Sequence, residues 1–364
     1  MEPHLSDRFG NPSSLHAHGR EARAALEDSR DALRTALGAA GGRVVFTGSG
    51  SESDNLAILG FARRHPGGRV IRSSIEHKAV LESSHALATG GYDVRDLPVD
   101  RRGVVDRDAL ADLLSGDERP TLVSVMWANN ETGAVQPVAK ISALCRERGA
   151  RFHSDAVQAF GKVPIDLSAT PVDLLTVSAH KIGGPKGTGA LYVAEDIELE
   201  PIVYGGGQES GLRSGTQDLA AIVGFAVAAE RVVAELGTEP ERWRALRDRL
   251  ESALRHALPG LAVNAGDAPE RLPNVLNVSI PAVDIEALIT SFDLEGICVS
   301  TGSACTTGSV EPSHVLVAMG RQGELARNTV RISLGHDSRA AEIDRVIEVF
   351  PAMVDRVRRF APTA

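Results

Sequence analysis

Lys181 stands where an apolar stretch of the sequence, residues 174–177, breaks into glycines and a proline. An apolar run of this length is typical of a buried strand, and glycine and proline mark the turn that ends it. Lysine is among the residues least often buried, so a lysine at the mouth of a core strand invites a chemical interpretation. Desolvation lowers the pKa of a lysine, and the neutral amine can then attack a carbonyl and form a Schiff base. The alternative is a solvated lysine in a tight turn, and this stretch alone does not decide between the two.

A second candidate for chemistry is the glycine–serine segment at residues 48–53, which leads into an apolar helical pattern at residues 56–64. Ser49 and Glu52 have the spacing of a capping box, which predicts a helix that starts there with free backbone N–H groups. Such N–H groups, the helix dipole and serine hydroxyls together favour an anion, above all a phosphate. The third glycine of a dinucleotide fingerprint is missing, and no Gly-Lys-Ser/Thr follows, so neither NAD nor ATP is indicated. An ordinary capped helix is the alternative.

Composition bounds the class of protein. The 364 residues are 43% hydrophobic and 24% charged, and the net charge of −9 without a basic block argues against a nucleic-acid partner. No apolar run approaches the length of a membrane span, and the N-terminus lacks the pattern of a signal peptide, so we expect a cytoplasmic protein without a membrane partner. The three cysteines, Cys145, Cys298 and Cys305, lack Cys-x-x-Cys spacing, so neither a metal site nor a disulfide framework is predicted.

Strand and helix patterns alternate through the first two thirds of the chain, with strands predicted at residues 44–47, 70–74, 122–126, 152–155 and 174–178. This alternation predicts an α/β fold with a mostly parallel sheet. Ligands of such sheets bind beyond the carboxyl ends of the strands. Six polar side chains lie at or just past predicted strand ends and are expected to converge: His77, Asn130, Asp155, Gln158, His180 and Lys181.

A domain boundary is predicted near residue 240, within a helical region, giving a large cofactor-binding domain at 1–240 and a small C-terminal α+β domain at 241–364. The small domain has strands predicted at residues 274–280, 296–300 and 330–334, and Cys298 is expected in the core. Cys305 lies in a loop of small residues, where it is either an unreactive surface thiol or a reactive one. Cys145 lies on a predicted helix and is interpreted as structural.

These residues can be taken as parts of one site. A lysine that forms a Schiff base needs an aldehyde, which pyridoxal phosphate supplies. A carboxylate is needed to keep the ring nitrogen of that cofactor protonated, and Asp155 is the candidate, while His77 can stack on the ring. The candidates for binding its phosphate are Gly50, Ser51, Ser178 and His180.

Six motifs stand in the order found in cysteine desulfurases, which this chain resembles from Phe9 to its last helix: Glu76-His77-Lys78-Ala79-Val80, Asn129-Asn130-Glu131, Asp155-Ala156-Val157-Gln158, Ser178-Ala179-His180-Lys181, Arg213-Ser214-Gly215-Thr216 and Ser303-Ala304-Cys305. Cysteine desulfurases form part of the class V aminotransferase-like branch of pyridoxal-phosphate enzymes. The resemblance implies the pyridoxal-phosphate-dependent transferase fold, similar to that of aspartate aminotransferase.

The resemblance also implies roles. Lys181 resembles the Schiff-base lysine, Asp155 the partner of the ring nitrogen, and His77 the stacking histidine and a candidate acid or base. The remaining cofactor ligands that it implies are Gly50, Ser51, Asn130, Gln158 near the phenolic oxygen, Ser178, His180 and, from the other subunit of a homodimer, Thr216. Asn130 and Arg331 resemble the groups that hold the substrate amino acid, with Arg331 on its carboxylate.

Cys305 resembles the nucleophile of the iron–sulfur-assembly group, carried on a long mobile loop. The implied reaction converts L-cysteine to L-alanine and leaves the sulfur on Cys305 as a persulfide, for delivery to a sulfur-acceptor protein such as an iron–sulfur scaffold. The family's usual opening segment has no counterpart before Asp7. Two alternatives remain: another pyridoxal-phosphate aminotransferase or lyase, including a selenocysteine lyase, or a truncated scaffold paralogue without activity.

Overall fold

The computed structural model describes residues 1–301 and 311–360. They form two compact units, each built from more than one stretch of the chain. The first comprises Met1–Leu97, Arg107–Trp127 and Gln136–Leu236. The second comprises Pro98–Asp106, Ala128–Val135 and the described residues from Gly237 onward, so two short segments before residue 240 belong with the C-terminal part.

A seven-stranded sheet forms the centre of the first unit. Its strands are β1 (Arg43–Thr47), β2 (Arg69–Ser73), β3 (Asp93–Leu97), β4 (Thr121–Ser124), β5 (Arg151–Asp155), β6 (Leu174–Ser178) and β7 (Gly189–Val193). Their order is β1-β7-β6-β5-β4-β2-β3, and β7 runs antiparallel to its neighbours while the other pairs are parallel. The predicted α/β fold with a mostly parallel sheet is confirmed.

Six α-helices of the first unit accompany this sheet: α1 (Ala17–Ala36), α2 (Gly50–Arg64), α3 (Lys78–Thr89), α4 (Arg107–Leu113), α5 (Val138–Glu147) and α6 (Leu219–Ala234). Helix α2 begins where the capping box predicts, because the Ser49 side chain accepts a hydrogen bond from the Glu52 N–H at 3.1 Å. The apolar face of α2 then packs on the sheet through Leu56, Ile58 and Phe61, all buried. This packing fixes the start of α2 at the carboxyl end of β1.

The second unit holds a three-stranded antiparallel sheet in the order β10-β9-β8. Its elements are α7 (Glu239–Ala257), β8 (Ala262–Val263), β9 (Val275–Ser279), α8 (Ile285–Leu294), α9 (His314–Ala318), α10 (Glu324–Arg327), β10 (Thr329–Ser333) and α11 (Ala340–Phe360). Side chains from all three strands and from α7, α8 and α11 form one apolar core, with Phe292 and Phe350 edge to face at 4.7 Å.

The prediction of a strand at residues 296–300 is wrong. Only Ser300 pairs, through an isolated bridge to Arg331, and the preceding residues form no ladder. Cys298 is therefore exposed rather than part of the core, because an unpaired segment at the edge of a small domain leaves its side chain in solvent. Cys145, by contrast, is buried on α5.

Within the described residues, no helix has both the length and the apolar character that crossing a membrane requires.

Candidate active site

Lys181 lies on a single turn of 3-10 helix, Ala179–Ile182, directly after the fully buried strand β6. The turn ends at Gly183, whose φ of 80° is left-handed, and the Gly184 N–H donates to the Ala179 carbonyl at 2.9 Å. Ala179 and Ile182 are buried, whereas Lys181 is exposed. The lysine thus projects into solvent from a turn that the core holds rigidly.

The start of α2 lies against the same strand end. A β-carbon added at Gly50 would approach the Val157 side chain to 3.0 Å and that of Ser178 to 3.4 Å, so glycine lets the helix start come this close without a shift of these side chains. Ser178 and His180 are linked side chain to side chain, Oγ to Nδ1, at 3.0 Å. Ser51 follows Gly50 and is exposed. The arrangement offers backbone N–H groups, two hydroxyls and an imidazole to one anion.

Asp155 is the last residue of β5 and is buried. Its Oδ1 accepts a hydrogen bond from the Val157 N–H at 2.9 Å. Burial raises the pKa of Asp155, whereas the Val157 N–H and the positive charges of His77 and Lys181 act in the opposite direction. Gln158 lies half-buried in the turn that follows.

His77 caps α3, where its Nδ1 accepts a hydrogen bond from the Ala79 N–H at 3.1 Å. The His77 ring also lies close to the carboxyl groups of Asp54 and Asp155. One ring nitrogen of His77 and one carboxyl oxygen of each aspartate all lie within 4.8 Å of one another. The structure therefore brings together His77 and Asp155, as expected, and adds Asp54, which the sequence analysis did not single out.

Asp54 belongs to a buried polar network that runs behind the site. His153 Nδ1 bonds to the Ser124 hydroxyl at 2.9 Å, and its Nε2 bonds to the Thr176 hydroxyl at 3.1 Å and lies 3.6 Å from Asp54 Oδ1. Burial lowers the pKa of His153 to about 3, so this ring is neutral near pH 7 and does not balance a negative charge on Asp54.

Burial and the nearby Asp155 carboxylate raise the pKa of Asp54 well above its usual range. Ionising both of two buried carboxyl groups this close together costs free energy, so the protonated form of one of them is favoured. The positive charges of His77 and Lys181 oppose the rise of the Asp155 pKa, so a proton is held more readily by Asp54 than by Asp155. Thr176, a polar residue within the mostly apolar strand β6, was the sequence signal for this network.

Glu76, next to His77, is also buried. Its Oε1 accepts hydrogen bonds from the Met126 N–H at 2.7 Å and from the Ser73 hydroxyl. Burial, the largest effect, raises the pKa of Glu76 to about 8 despite these two donors. Its contacts tie the start of α3 to Met126, the second residue after β4, which helps to hold the neighbouring His77 in place.

Thr216 is exposed at the end of a glycine-rich loop, residues 205–216. The loop is anchored by Glu209, whose buried carboxylate accepts from Arg30 Nη1 at 2.7 Å and from the Phe46 N–H at 2.9 Å. Glu209 and Ser210 both adopt left-handed φ angles, 52° and 57°, which are uncommon outside glycine. A second tie, Arg213 Nε to Glu52 Oε1 at 2.8 Å, joins the loop to the first turn of α2.

Asn130 and Arg331 belong to the second unit. Arg331 Nη1 donates to the Asn130 carbonyl at 3.0 Å, and Asn277 Nδ2 donates to the Glu131 carbonyl at 3.1 Å. Burial lowers the pKa of Arg331, and the Glu131 carboxylate opposes that effect. Arg331 Nε is buried without a hydrogen-bond partner among the described residues, which leaves a donor for a bound carboxylate.

Cys305 falls within residues 302–310, outside the described residues, so its predicted role stays a prediction.

Comparison with known proteins identifies the family. The model of the class-V aminotransferases matches residues 1–346. A cysteine desulfurase of Nostoc sp. is 44% identical over 361 residues, which cover 99% of this chain and 90% of that protein. The chain belongs to the cysteine desulfurase family of class-V aminotransferases. The cysteine desulfurase NifS of Azotobacter vinelandii is 42% identical over 364 residues, 100% of this chain and 90% of that protein. The solved structure of a NifS-like protein from Rickettsia africae matches with a TM-score of 0.88 and 35% identity, covering 96% of this chain and 93% of that one.

Members of this family are pyridoxal-phosphate enzymes, and so is this one. The residues of the first unit fit the cofactor by their chemistry. The start of α2 offers backbone N–H groups beside Ser178, Asp155 is a buried carboxyl group whose ionised form is favoured by the positive charges of His77 and Lys181, and Lys181 is an exposed amine on the turn after β6.

Proposed function

We propose that this family member is a cysteine desulfurase that converts L-cysteine to L-alanine and leaves the sulfur on Cys305 as a persulfide. One observation carries the proposal: an amine, a buried carboxyl group and backbone N–H groups suited to an anion occur in one compact unit of a chain that is 44% identical to a cysteine desulfurase. The names of the relatives favour this activity over an aminotransferase, a selenocysteine lyase or an inactive scaffold paralogue.

When bound, pyridoxal phosphate supplies an electron sink for the negative charge that develops at the substrate Cα. Lys181 would hold the cofactor covalently and, once released, its Nζ would carry the Cα proton. Asp155 would stabilise a positive ring nitrogen, and burial disfavours a competing negative charge on the neighbouring Asp54. His77 would cover the ring face and Gln158 would approach its phenolic oxygen. The phosphate ligands that we propose are Gly50, Ser51, Ser178, His180 and, from a second subunit, Thr216.

Arg331 and Asn130 would hold the substrate. The Nε donor of Arg331, which has no partner among the described residues, and the positive charge of the guanidinium group suit a carboxylate. The hydrogen bond from Arg331 Nη1 to the Asn130 carbonyl fixes the orientation of this planar group. Asn130 would also contact the cofactor, as the resemblance implies.

Cys305 would supply the thiolate nucleophile. Its Sγ forms a bond to the substrate sulfur while the substrate Cβ–S bond breaks, and the electron pair left on carbon takes up a proton to give alanine. The sulfur then passes to an acceptor protein, for which an iron–sulfur scaffold is our candidate. We further propose that the enzyme is a homodimer in the cytoplasm, without nucleic-acid or membrane partners.

Product analysis tests the activity. The purified chain loaded with pyridoxal phosphate should release alanine and sulfide in equal amounts from L-cysteine when a thiol reductant is present. Release of pyruvate and ammonia would instead identify a lyase, and a 2-oxo acid product that keeps its sulfur would identify an aminotransferase. Either result would overturn the proposal.

Subunit mixing tests the homodimer. If Thr216 completes the partner's phosphate site, inactive Lys181→Ala subunits mixed with inactive subunits that lack the Thr216 loop should regain one working site per mixed dimer. A fully active monomer would contradict the arrangement.

A further inference from the structure

Lys162 is a buried lysine with no part in the mechanism above. It lies in the turn that follows β5 in the first unit, and only 8% of it is exposed. Its Nζ donates to the backbone carbonyl of Lys181 at 3.4 Å. A second ammonium group is thus held, away from water, under the turn that carries the cofactor-binding lysine.

The packing around Lys162 explains why water is excluded. Gly161, with a left-handed φ of 75°, lets the turn lie directly on α6: a β-carbon there would meet the Val232 side chain at 2.7 Å and Ile182 at 3.2 Å. Burial, and in addition the positive charge of Lys181, lowers the pKa of Lys162 to about 8. Near neutral pH the group is therefore still mostly charged, and its repulsion acts on Lys181 as well.

Other charges also face Lys181, and they pull in both directions. Asp155 attracts the Lys181 ammonium, while His77 offsets part of that carboxylate's charge. On the other side, His180 feels Lys181, Lys186 and Lys162 together, and they act with burial to lower its pKa. Asp54 and Glu76 add little negative charge, because their pKa values are raised.

We propose that Lys162 is a positioning residue whose buried charge keeps the Lys181 amine in its neutral, nucleophilic form. A lysine placed beside another cationic group loses its proton more readily, and a neighbouring charge that is itself shielded from water, as Lys162 is, is screened less than a surface charge. The bond from Lys162 Nζ to the Lys181 carbonyl holds a buried positive charge against the backbone of the turn that carries Lys181, so the effect does not depend on a flexible surface charge. The inference rests on the proposed role of Lys181.

The test starts from the full-length chain freed of pyridoxal phosphate. The rate at which added cofactor binds covalently is measured from the change in cofactor absorbance, at pH values between about 6 and 11. Lys162→Gln keeps an amide donor for the Lys181 carbonyl but removes the charge. For Lys162→Gln we expect the midpoint of the pH dependence of the cofactor-binding rate to rise by roughly one unit. We expect the cofactor-binding rate of this variant at neutral pH to fall about tenfold. Lys162→Arg, which keeps the charge, should retain the wild-type midpoint. Lys186→Gln is the matched control: it removes a nearby but exposed charge and should leave the midpoint unchanged.

An unchanged midpoint in Lys162→Gln would overturn the proposal, since it would show that hydrogen bonding rather than charge is what Lys162 provides. The wild-type chain gives a check that needs no variant. If the pH midpoint of its cofactor-binding rate lay at the ordinary pKa of lysine, about 10.4, the proposal would be refuted even if Lys162→Gln failed to fold. Absence of a borohydride-stable adduct on Lys181 in the wild type would be a different failure, that of the proposed function itself.

Discussion

Replacing Glu209 with alanine should strongly destabilise the first unit. The Glu209 carboxylate is fully buried and accepts four hydrogen bonds: from Arg30 Nη1 and Nη2 at 2.7 and 3.1 Å, from the Phe46 N–H at 2.9 Å, and from Gln217 Nε2 at 2.9 Å. Removing one partner of a buried ion pair leaves the other charge unbalanced, which costs about 3–5 kcal/mol of unfolding free energy. Two left-handed residues, Glu209 and Ser210, would also lose the contacts that hold them.

Glu27→Ala is the matched control, because Glu27 pairs with the same arginine. Arg30 Nε lies 3.2 Å from Glu27 Oε2, but that carboxylate is 54% exposed, so its loss should cost only about 0–1 kcal/mol. Urea unfolding followed by circular dichroism measures both variants, and hydrogen exchange at the Phe46 amide reports on the anchor itself. If Glu209→Ala lost no more stability than Glu27→Ala, or if the Phe46 amide stayed protected, the reasoning would be refuted.

Four further predictions concern the site and its surroundings. Lys181→Ala should still bind pyridoxal phosphate but form no borohydride-stable adduct, and normal sulfide release by this variant would exclude the assigned lysine. Cys305→Ser should keep the cofactor spectrum and lose persulfide, measured by mass spectrometry, whereas Cys298→Ser should stay active; the reverse outcome would move the nucleophile to Cys298. Thr216→Ala should weaken cofactor retention in equilibrium dialysis by about 0.5–1.5 kcal/mol if one neutral hydrogen bond is lost and by more if the bond is to charged phosphate, and unchanged retention would count against a phosphate ligand. Because burial raises the pKa of Glu76 from 4.5 to about 8, the folded chain binds a proton that the unfolded chain lacks in this window, and stability falls as pH rises through it. Glu76→Gln should flatten that slope, by up to about 1 kcal/mol per pH unit in urea titrations; an equally steep slope in the variant would show that another group titrates.

Strands with apolar, β-branched runs were predictable from the sequence. The pattern at residues 174–178 predicts β6 with the bounds that the structure has, and the capping box predicts where α2 begins. Strand β3 was missed because its sequence, Asp93–Leu97, alternates charged residues at the edge of the sheet, where burial gives no signal. Strand β7 was missed because it follows a run of glycines, and only its pairing with β1 and β6 makes it a strand.

The site was partly predictable for a related reason. Residues that follow parallel strands meet at one edge, so the proximity of His77 and Asp155 follows from strand order. Asp54 and Lys162 could not be found in this way, because their significance lies in burial and in neighbours distant along the chain. The roles assigned to the site residues come from resemblance and stay predictions until variants are measured.

The discontinuity of the second unit has a consequence for how the chain folds. Its hydrogen bonds from Asn277 to Glu131 and from Arg331 to Asn130 join residues 146 and 201 positions apart. At a synthesis rate of about 5–20 residues per second, residues 128–135 must wait about 10–40 s for these partners to be made. Closing such long loops is slow, so we expect late consolidation of this unit. A fragment that begins at Gly237 would leave the buried Asn277 amide without the Glu131 carbonyl, and so would be an incomplete folding unit.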